Sequence, residues 1–323
     1  MKVAAVIPNW NGAARLKKLF EHLAAQTQPI GRIIIVDNGS TDDSRAVAAG
    51  AGASVIELGA NTGFSHAVNC GIRAADAEWI VILNNDVQPE PDWLRNLMET
   101  AMAKQAWFAT GKLLDASRRD RLDGAFDAIC RGACAWRCGH GRRDSALWNT
   151  PREIRFAPLT AALIRAELFE RVGLLDESLE SYLEDIDLGI RCAAKGLTGL
   201  YAPSAVAYHQ GSATLGVWHP DTVRKISRNQ LLIVAKHYPR KWILRYGWPV
   251  LVAQALWGLI ALRHGRLLAY LGGKLDGVQL FRKNRGESCS NLDAILEQSE
   301  REIRELQSLS GFDLYWRLYF ALT

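Results

Sequence analysis

The stretch Trp79-Ile80-Val81-Ile82-Leu83 is an unbroken apolar run that stops abruptly at Asn84-Asn85-Asp86. Such a run is what a strand buried on both faces requires, and strands of that kind belong to sheets covered by helices on each side. Pro89 and Pro91 block any extension of the strand. The polar tip therefore falls at a carboxyl strand end, the place where open α/β sheets bind ligands. Asp86 at that place can ligate a hard divalent cation through oxygen. A plain polar turn accounts for Asn-Asn-Asp equally well.

Neighbouring segments repeat the pattern. Residues 2–8, 32–36 and 54–58 read as strands, the first two ending in Asn9-Trp10-Asn11-Gly12 and Asp37-Asn38-Gly39-Ser40. Between them, Leu16, Leu19, Phe20 and Leu23 recur at helical spacing, and residues 45–51 and 67–75 are Ala-rich. The alternation predicts an α/β fold with a parallel, doubly wound sheet, the tips of strands one, two and four converging on one edge. Residues 91–104 predict a helix and 107–113 a strand. Residues 115–151, rich in Arg, Asp, Gly and Cys without periodicity, predict a variable, partly mobile excursion. Residues 156–164 read as strand-like. Glu184-Asp185-Ile186-Asp187 opens a helix that Gly196 ends, and a strand follows within 197–208, with Pro203 near an edge. It runs out in His209-Gln210-Gly211-Ser212.

A 323-residue chain that is 49% apolar can build a sizeable core, which argues against wholesale disorder. Residues 1–220 read as one nucleotide-binding domain and 221–323 as a basic, aromatic helical region. Six cysteines and a short N-terminal apolar run suggest a reducing, cytoplasmic setting. Cys130, Cys134 and Cys138, followed by His140, would share one face of a helix; zinc binding and simple burial both fit that spacing.

From Arg224 to Arg285 basic residues dominate, and Asp276 is the lone acid. Between the basic clusters lies an uncharged span, 246–262, flanked or interrupted by Trp242, Trp248 and Trp257. A helix lying in a lipid interface accounts best for this mixture. A buried helix or a homodimer contact, and a bilayer span at the lower limit of length, are the alternatives. The apolar interleaving argues against nucleic acid.

Three acidic places carry the chemistry. Asp37, after strand two, can accept from a nucleobase N–H or cap its own loop. Asp86 is the second. The third is Glu184-Asp185-x-Asp187, where a helix dipole favours carboxylates and one of them can serve as a general base. His209 is a candidate second metal ligand or a satisfied polar residue.

Taken together, the sequence resembles the inverting family 2 glycosyltransferases, and within them the rhamnosyltransferase-like branch. The resemblance runs from Val3 to Thr214. It rests on Val6-Ile7-Pro8-Asn9-Trp10-Asn11-Gly12, Ile35-Val36-Asp37-Asn38-Gly39-Ser40-Thr41-Asp42, Asn61-Thr62-Gly63-Phe64 and Leu83-Asn84-Asn85-Asp86, then on Gly173-Leu174-Leu175-Asp176-Glu177, Tyr182-Leu183-Glu184-Asp185-Ile186-Asp187-Leu188 and His209. It implies a GT-A type fold, a mixed but mostly parallel sheet sandwiched by helices, with a C-terminal helical extension. It implies a donor linked to thymidine or uridine diphosphate, held by Pro8, Asn9, Asn11, Asp37, Gly63, Phe64, Asn69 and Asn85. Mg²⁺ or Mn²⁺ would sit on Asp86 and His209. Asp185 would be the catalytic base, Glu184 its acceptor-binding neighbour, and Tyr182 would shape the sugar pocket. A saccharide or polyprenyl-linked acceptor and a place on the inner face of the plasma membrane follow from the same resemblance. Two departures stand out: Asn85 replaces a carboxylate common at the ribose, and Thr160-Ala161 replaces a Gly-Ala pair on the acceptor side.

Rival classes fit less well. A dinucleotide oxidoreductase would need Gly-x-Gly-x-x-Gly where Asn9-Trp10-Asn11-Gly12 stands. A non-catalytic sugar-nucleotide-binding protein would have no use for Asp185, and a nucleotidyltransferase would release pyrophosphate.

Overall fold

The computed structural model describes residues 1–211 and 218–323; the far end of the resemblance, Ser212 to Thr214, lies outside them. The chain begins β1 (Val3–Asn9), α1 (Ala13–Ala24), β2 (Arg32–Asp37), α2 (Ser44–Gly50), β3 (Ser54–Glu57), α3 (Phe64–Ala74), β4 (Trp79–Leu83), β5 (Val87–Pro89), α4 (Trp93–Ala103) and β6 (Phe108–Asp115). It continues through β7 (Leu122–Gly124), β8 (Asp127–Ile129), β9 (Ala135–Arg137), β10 (Arg152–Ile154), β11 (Ala161–Arg165), α5 (Ala166–Val172), α6 (Glu184–Ala194) and β12 (Gly199–His209). Five helices close the chain: α7 (Pro220–His237), α8 (Trp242–Arg263), α9 (Leu267–Phe281), α10 (Leu292–Ser310) and α11 (Leu314–Leu322).

The main sheet runs β10-β12-β6-β11-β4-β1-β2-β3. It is mixed rather than wholly parallel: β11 lies antiparallel between β4 and β6, while β12 runs parallel to β6. Consequently β1, β2, β4, β6 and β12 all point one way and present their carboxyl ends at one edge. Period-two alternation splits the strands between two cores. Val6, Val36, Ile80 and Ile82 face the layer containing α3, α5 and α6. Ile7, Ile35, Val81 and Leu83 face α1 and α4.

Three sequence expectations change. Pro203 is not at an edge; β12 is flanked by β6 on one side and by β10 and β5 on the other. Pro203 is accommodated at the register shift between Ala202 and Val206, where no ladder N–H is required. Nor is 115–151 a loose excursion. It forms β7 against β6 and the β8–β9 hairpin, and Phe126, Ile129, Cys130, Cys138 and Trp148 are buried. Cys130, Cys134 and Cys138 sit on or beside this hairpin, so the helical face that a spacing of four implies does not form. Their burial raises each thiol pKa.

The C-terminal helices share their core with the sheet domain. Ile233, Val234, Tyr246 and Leu296 pack with Ile129, Phe156 and Ile186. At the hairpin tip, a Cβ on Gly132 would lie 2.2 Å from Ala253 Cβ of α8, so only glycine permits this approach. The closing aromatics pack as α11: Trp316 stands 6.3 Å from Trp136 of β9, ring to ring.

Candidate active site

The carboxyl edge of the sheet opens into a cavity of about 880 Å³. One end is amide-rich. Pro8, Asn9 and Trp10 at the end of β1 line it with Asn38, Asn61 and Asn84-Asn85-Asp86. Asn85 donates from Nδ2 to Asn9 Oδ1 at 2.7 Å, fixing both amides. A Cβ on Gly12 would fall 2.3 Å from Asn9 Oδ1 and 2.4 Å from Asn85 Nδ2, so this pairing depends on the glycine.

Beside this wall, β12 delivers His209. Its Nε2 lies 3.2 Å from Asp86 Oδ1 and its Nδ1 lies 2.9 Å from Asp123 Oδ2. Burial disfavours the imidazolium, but hydrogen bonds and charge from Asp123 and Asp86 outweigh it and raise the His209 pKa to about 9. Asp123 is correspondingly lowered to about 2: burial works against its charge, and His209 and Arg137 more than compensate.

The same cavity is lined by Glu184 and Asp185, in the first turn of α6. The approach to this helix is strained: Glu180, Tyr182 and Leu183 have φ of 58°, 73° and 66°. Asn229 of α7 holds the segment in place, its amide donating to the carbonyls of Leu179, Ser181 and Tyr182 at 2.8, 3.0 and 2.7 Å. The C-terminal region thus aims the acids. Burial first, and then the neighbouring Asp185 charge, push the Glu184 pKa well up. Burial also raises that of Asp185, against the pull of Arg137. Asp187, two residues on, points elsewhere: it is buried among Arg191, Lys236 and His237, and the hydrogen bond from His237 with the charges of Arg191 and Lys236 holds its carboxyl far below the usual range against the cost of burial.

Beyond the acids the cavity becomes an aromatic arm between β9, α7, α8 and α11, lined by Trp136, Trp218, Trp257, Ile260, Tyr315 and Trp316. Trp218 stacks on His264 at 3.7 Å and lies 6.0 Å from Trp257.

Pro8, Asn9, Phe64, Asn85, Asp86, Glu184, Asp185 and His209 therefore face one cavity, as does Tyr182. Four expected donor contacts do not. Asp37 is buried behind the wall, its Oδ2 accepting Ser40 N–H at 3.0 Å and its Oδ1 3.5 Å from Asn9 Nδ2; it closes its own loop. Asn11 turns away, accepting Thr41 N–H at 2.8 Å. Gly63 (φ 88°) abuts Glu180, and its carbonyl takes the Asn38 amide. Asn69 spends both ends of its amide on Leu175 and reaches Glu177, tying α3 to the 173–177 turn. Asp123, Asp127 and Arg137 are the residues that sequence reasoning passed over. The only hint of them was the density of Asp and Arg in 115–151.

Asp86 and His209 fit a divalent cation. Asp86 Oδ1 and His209 Nε2 lie 3.2 Å apart, so a cation there would take the place of the Nε2 proton, and Asp123 receives the other ring N–H, the partner a metal-bound histidine needs. Among the described residues no group of three or more His, Cys, Asp or Glu side chains is arranged to hold an ion. The remaining ligands would have to come from diphosphate oxygens and water, which suits Mg²⁺ or Mn²⁺.

Residues 4–173, more than half of the chain, match the family described as Glycosyl transferase family 2. The chain belongs to that family. It is 25% identical over 272 residues to the N-acetylglucosaminyl-diphospho-decaprenol L-rhamnosyltransferase of Mycobacterium tuberculosis, covering 74% of this chain and 88% of that one. Among solved structures, GalNAc-T7 with UDP, GalNAc and Mn²⁺ superposes with a TM-score of 0.63 at 14% identity, over 96% of this chain and 58% of the other. The mannosyltransferase PcManGT of Pyrobaculum calidifontis, in complex with GDP-Man and Mn²⁺, gives 0.54 at 15% identity, over 99% and 86%. Both likenesses support the GT-A glycosyltransferase fold, and this family 2 chain is rhamnosyltransferase-like.

Proposed function

We propose that this glycosyltransferase moves a deoxyhexose such as rhamnose, with inversion, from a thymidine diphosphate donor to a hydroxyl of a saccharide or polyprenyl-linked acceptor in cell-surface polysaccharide synthesis. One observation carries the reading. A single cavity is lined by the amides, by Asp86 and His209, by Glu184 and Asp185, and by an aromatic cluster. The similarity to a decaprenol-linked rhamnosyltransferase supports the choice of sugar and acceptor.

Asn9 and Asn85 hold the donor's ribose and diphosphate side, and Phe64 packs against it. Asp185 takes the proton from the acceptor hydroxyl as that oxygen attacks the anomeric carbon. The bond to the nucleoside diphosphate breaks on the opposite face, which inverts the configuration. A cation held by Asp86 and His209 would supply Lewis-acid stabilisation of the diphosphate leaving group. Burial favours the neutral form of the Glu184 carboxyl, and in that form it can donate to an acceptor oxygen without repelling Asp185. The aromatic arm offers sugar or isoprenoid faces a dry surface, and orientation of the two substrates contributes the remainder.

The outer surface suits a peripheral place on the cytoplasmic membrane face. Leu244, Trp248 and Leu259 of α8 and Leu268, Leu275 and Val278 of α9 are 58–84% exposed. Arg263, Arg266, Arg282 and Lys283 lie beside them in the chain. Among the described residues α8 is long and apolar enough to cross a bilayer. Sedimentation with anionic liposomes at low salt checks the surface reading; no binding would favour a homodimer contact there instead.

A thermal-shift screen of dTDP- and UDP-linked sugars, with and without Mn²⁺, tests the donor class. A Mn²⁺-dependent shift with dTDP-rhamnose, followed by release of nucleoside diphosphate, is expected. Stabilisation by UDP-hexose or UDP-N-acetylhexosamine alone would move the donor assignment, and release of pyrophosphate would overturn the reaction.

A further inference from the structure

Three acids crowd the base end of the cavity, and the mechanism above uses two. The third, Asp127, stands opposite Arg137 in the β8–β9 ladder, with its Oδ1 3.5 Å from Arg137 Nε. Its Oδ2 is buried without a hydrogen-bond partner. Asp127 and Asp185 line the same cavity, and the two carboxyls are close enough to interact. Two carboxyls can bond only when one of them carries a proton. Asp185 Oδ1 already accepts from Ile186 N–H at 2.8 Å, a bond that favours its charged form.

We propose that Asp127 is the positioning residue for Asp185: its carboxyl, held in the protonated form, donates to the Asp185 carboxylate and keeps that group aimed at the acceptor. The inference rests on the assignment of Asp185 as base. Charged and titratable groups around Asp127 support it. Arg137 and Cys138 face it from the hairpin, and Glu184 and Asp185 from α6. From α10 come Ser299, whose hydroxyl binds Ile129 N–H, and Glu302, which is held by Arg155. Burial keeps the proton on Asp127 and the Asp185 charge reinforces it, against the pull of Arg137. In transfer the acceptor O–H bond breaks toward Asp185, the new C–O bond forms, and the old C–O electron pair leaves with the diphosphate. The carboxyl pair then holds two protons and returns one to water as product departs. The hairpin also joins the two ends of the cavity. Arg137 lies 3.5 Å from Asp123 Oδ2, which in turn holds His209.

The test compares Asp127→Asn and Asp127→Ala in the full chain. Nucleoside diphosphate release from dTDP-rhamnose and UDP-N-acetylglucosamine is followed against pH, beside infrared spectra of the ligand-free proteins. Alanine should lower kcat about tenfold or more with donor KM little changed. Asparagine, whose Oδ1 can face Arg137 and whose Nδ2 can donate to Asp185, should recover most of that loss. It should also lack the wild-type fall at alkaline pH, because an amide does not titrate. At neutral pH the wild type should show a buried protonated-carboxyl stretch that weakens in Asp127→Asn. Wild-type kcat in Asp127→Ala, an asparagine variant as poor as alanine, or an unchanged infrared band would overturn the proposal. If the wild type releases nucleoside diphosphate from no donor, the transferase reading fails, while the infrared comparison still decides whether Asp127 holds the proton.

Discussion

Replacing Asp185 by asparagine preserves the volume of the side chain and removes its charge and basicity. The proposed donor contacts are Asn9, Asn85 and Asp86 rather than Asp185, so donor KM should hold within about twofold. Loss of a positioned general base should lower kcat about a hundredfold, equivalent to about 2.7 kcal/mol of transition-state stabilisation. Stability should move the other way. Arg137 is ion-paired with Asp123 and Asp127 and only partly offsets the Asp185 charge, and burial raises the Asp185 pKa in the folded state. An acid so shifted costs stability at every pH above the ordinary carboxylate range, and the neutral amide removes that cost. Steady-state release of nucleoside diphosphate and a thermal melt on the same sample decide the matter. Turnover within about threefold of wild type removes Asp185 from the mechanism. A Tm that falls in step with activity makes it a structural residue.

Other changes separate the neighbouring roles. Asp86→Ala should abolish the Mn²⁺-dependent part of the donor thermal shift, and wild-type activity in excess chelator would refute the metal site. Asp187→Ala should cost about 3 kcal/mol in urea unfolding, the low end for breaking a buried pair, because Arg191 keeps the Val172 and Gly173 carbonyls and Lys236 keeps Asp176. The contribution of Asp187 is present above the ordinary carboxylate range and fades as pH falls toward its lowered pKa, so the gap between variant and wild type should narrow in acid. A cost below about 1 kcal/mol at neutral pH would show that the three cations do not depend on it. Asn229→Ala should release the strained 180–183 segment and lower kcat about tenfold with a loss of about 1–3 kcal/mol; unchanged kcat would mean that α7 does not aim the base.

Strands β1, β2 and β4 were legible because strands buried on both faces read as continuous apolar runs, and their tips were legible because such runs stop where ligands bind. Glu184 and Asp185 could be read because a helix start concentrates acids in a short window. Asp127 and Arg137 could not. They sit in three-residue strands, too short for any period, and their charges are buried only because they face each other across a hairpin. Asp37 and Asn69 misled for the converse reason: a polar side chain at a strand tip or on a helix serves a loop as readily as a ligand, and composition does not tell the two apart. The cysteine spacing left burial and a helical face equally open because a step of four is one helical turn and also spans the hairpin loop from Cys130 to Cys134 and strand β9 from Cys134 to Cys138. Asn229 lies in mid-helix, and its target carbonyls are 47–50 positions away, beyond any local pattern.

Anomalous diffraction from Mn²⁺ in crystals of the protein grown with dTDP or UDP would test most directly whether the cavity joins a diphosphate site to Asp185. A single strong peak coordinated by Asp86 and His209, with the nucleotide's diphosphate on it and Asp185 across the cavity from the terminal phosphate, is the predicted result. A peak on other residues, or a nucleotide lodged away from Asn9 and Asn85, would contradict it.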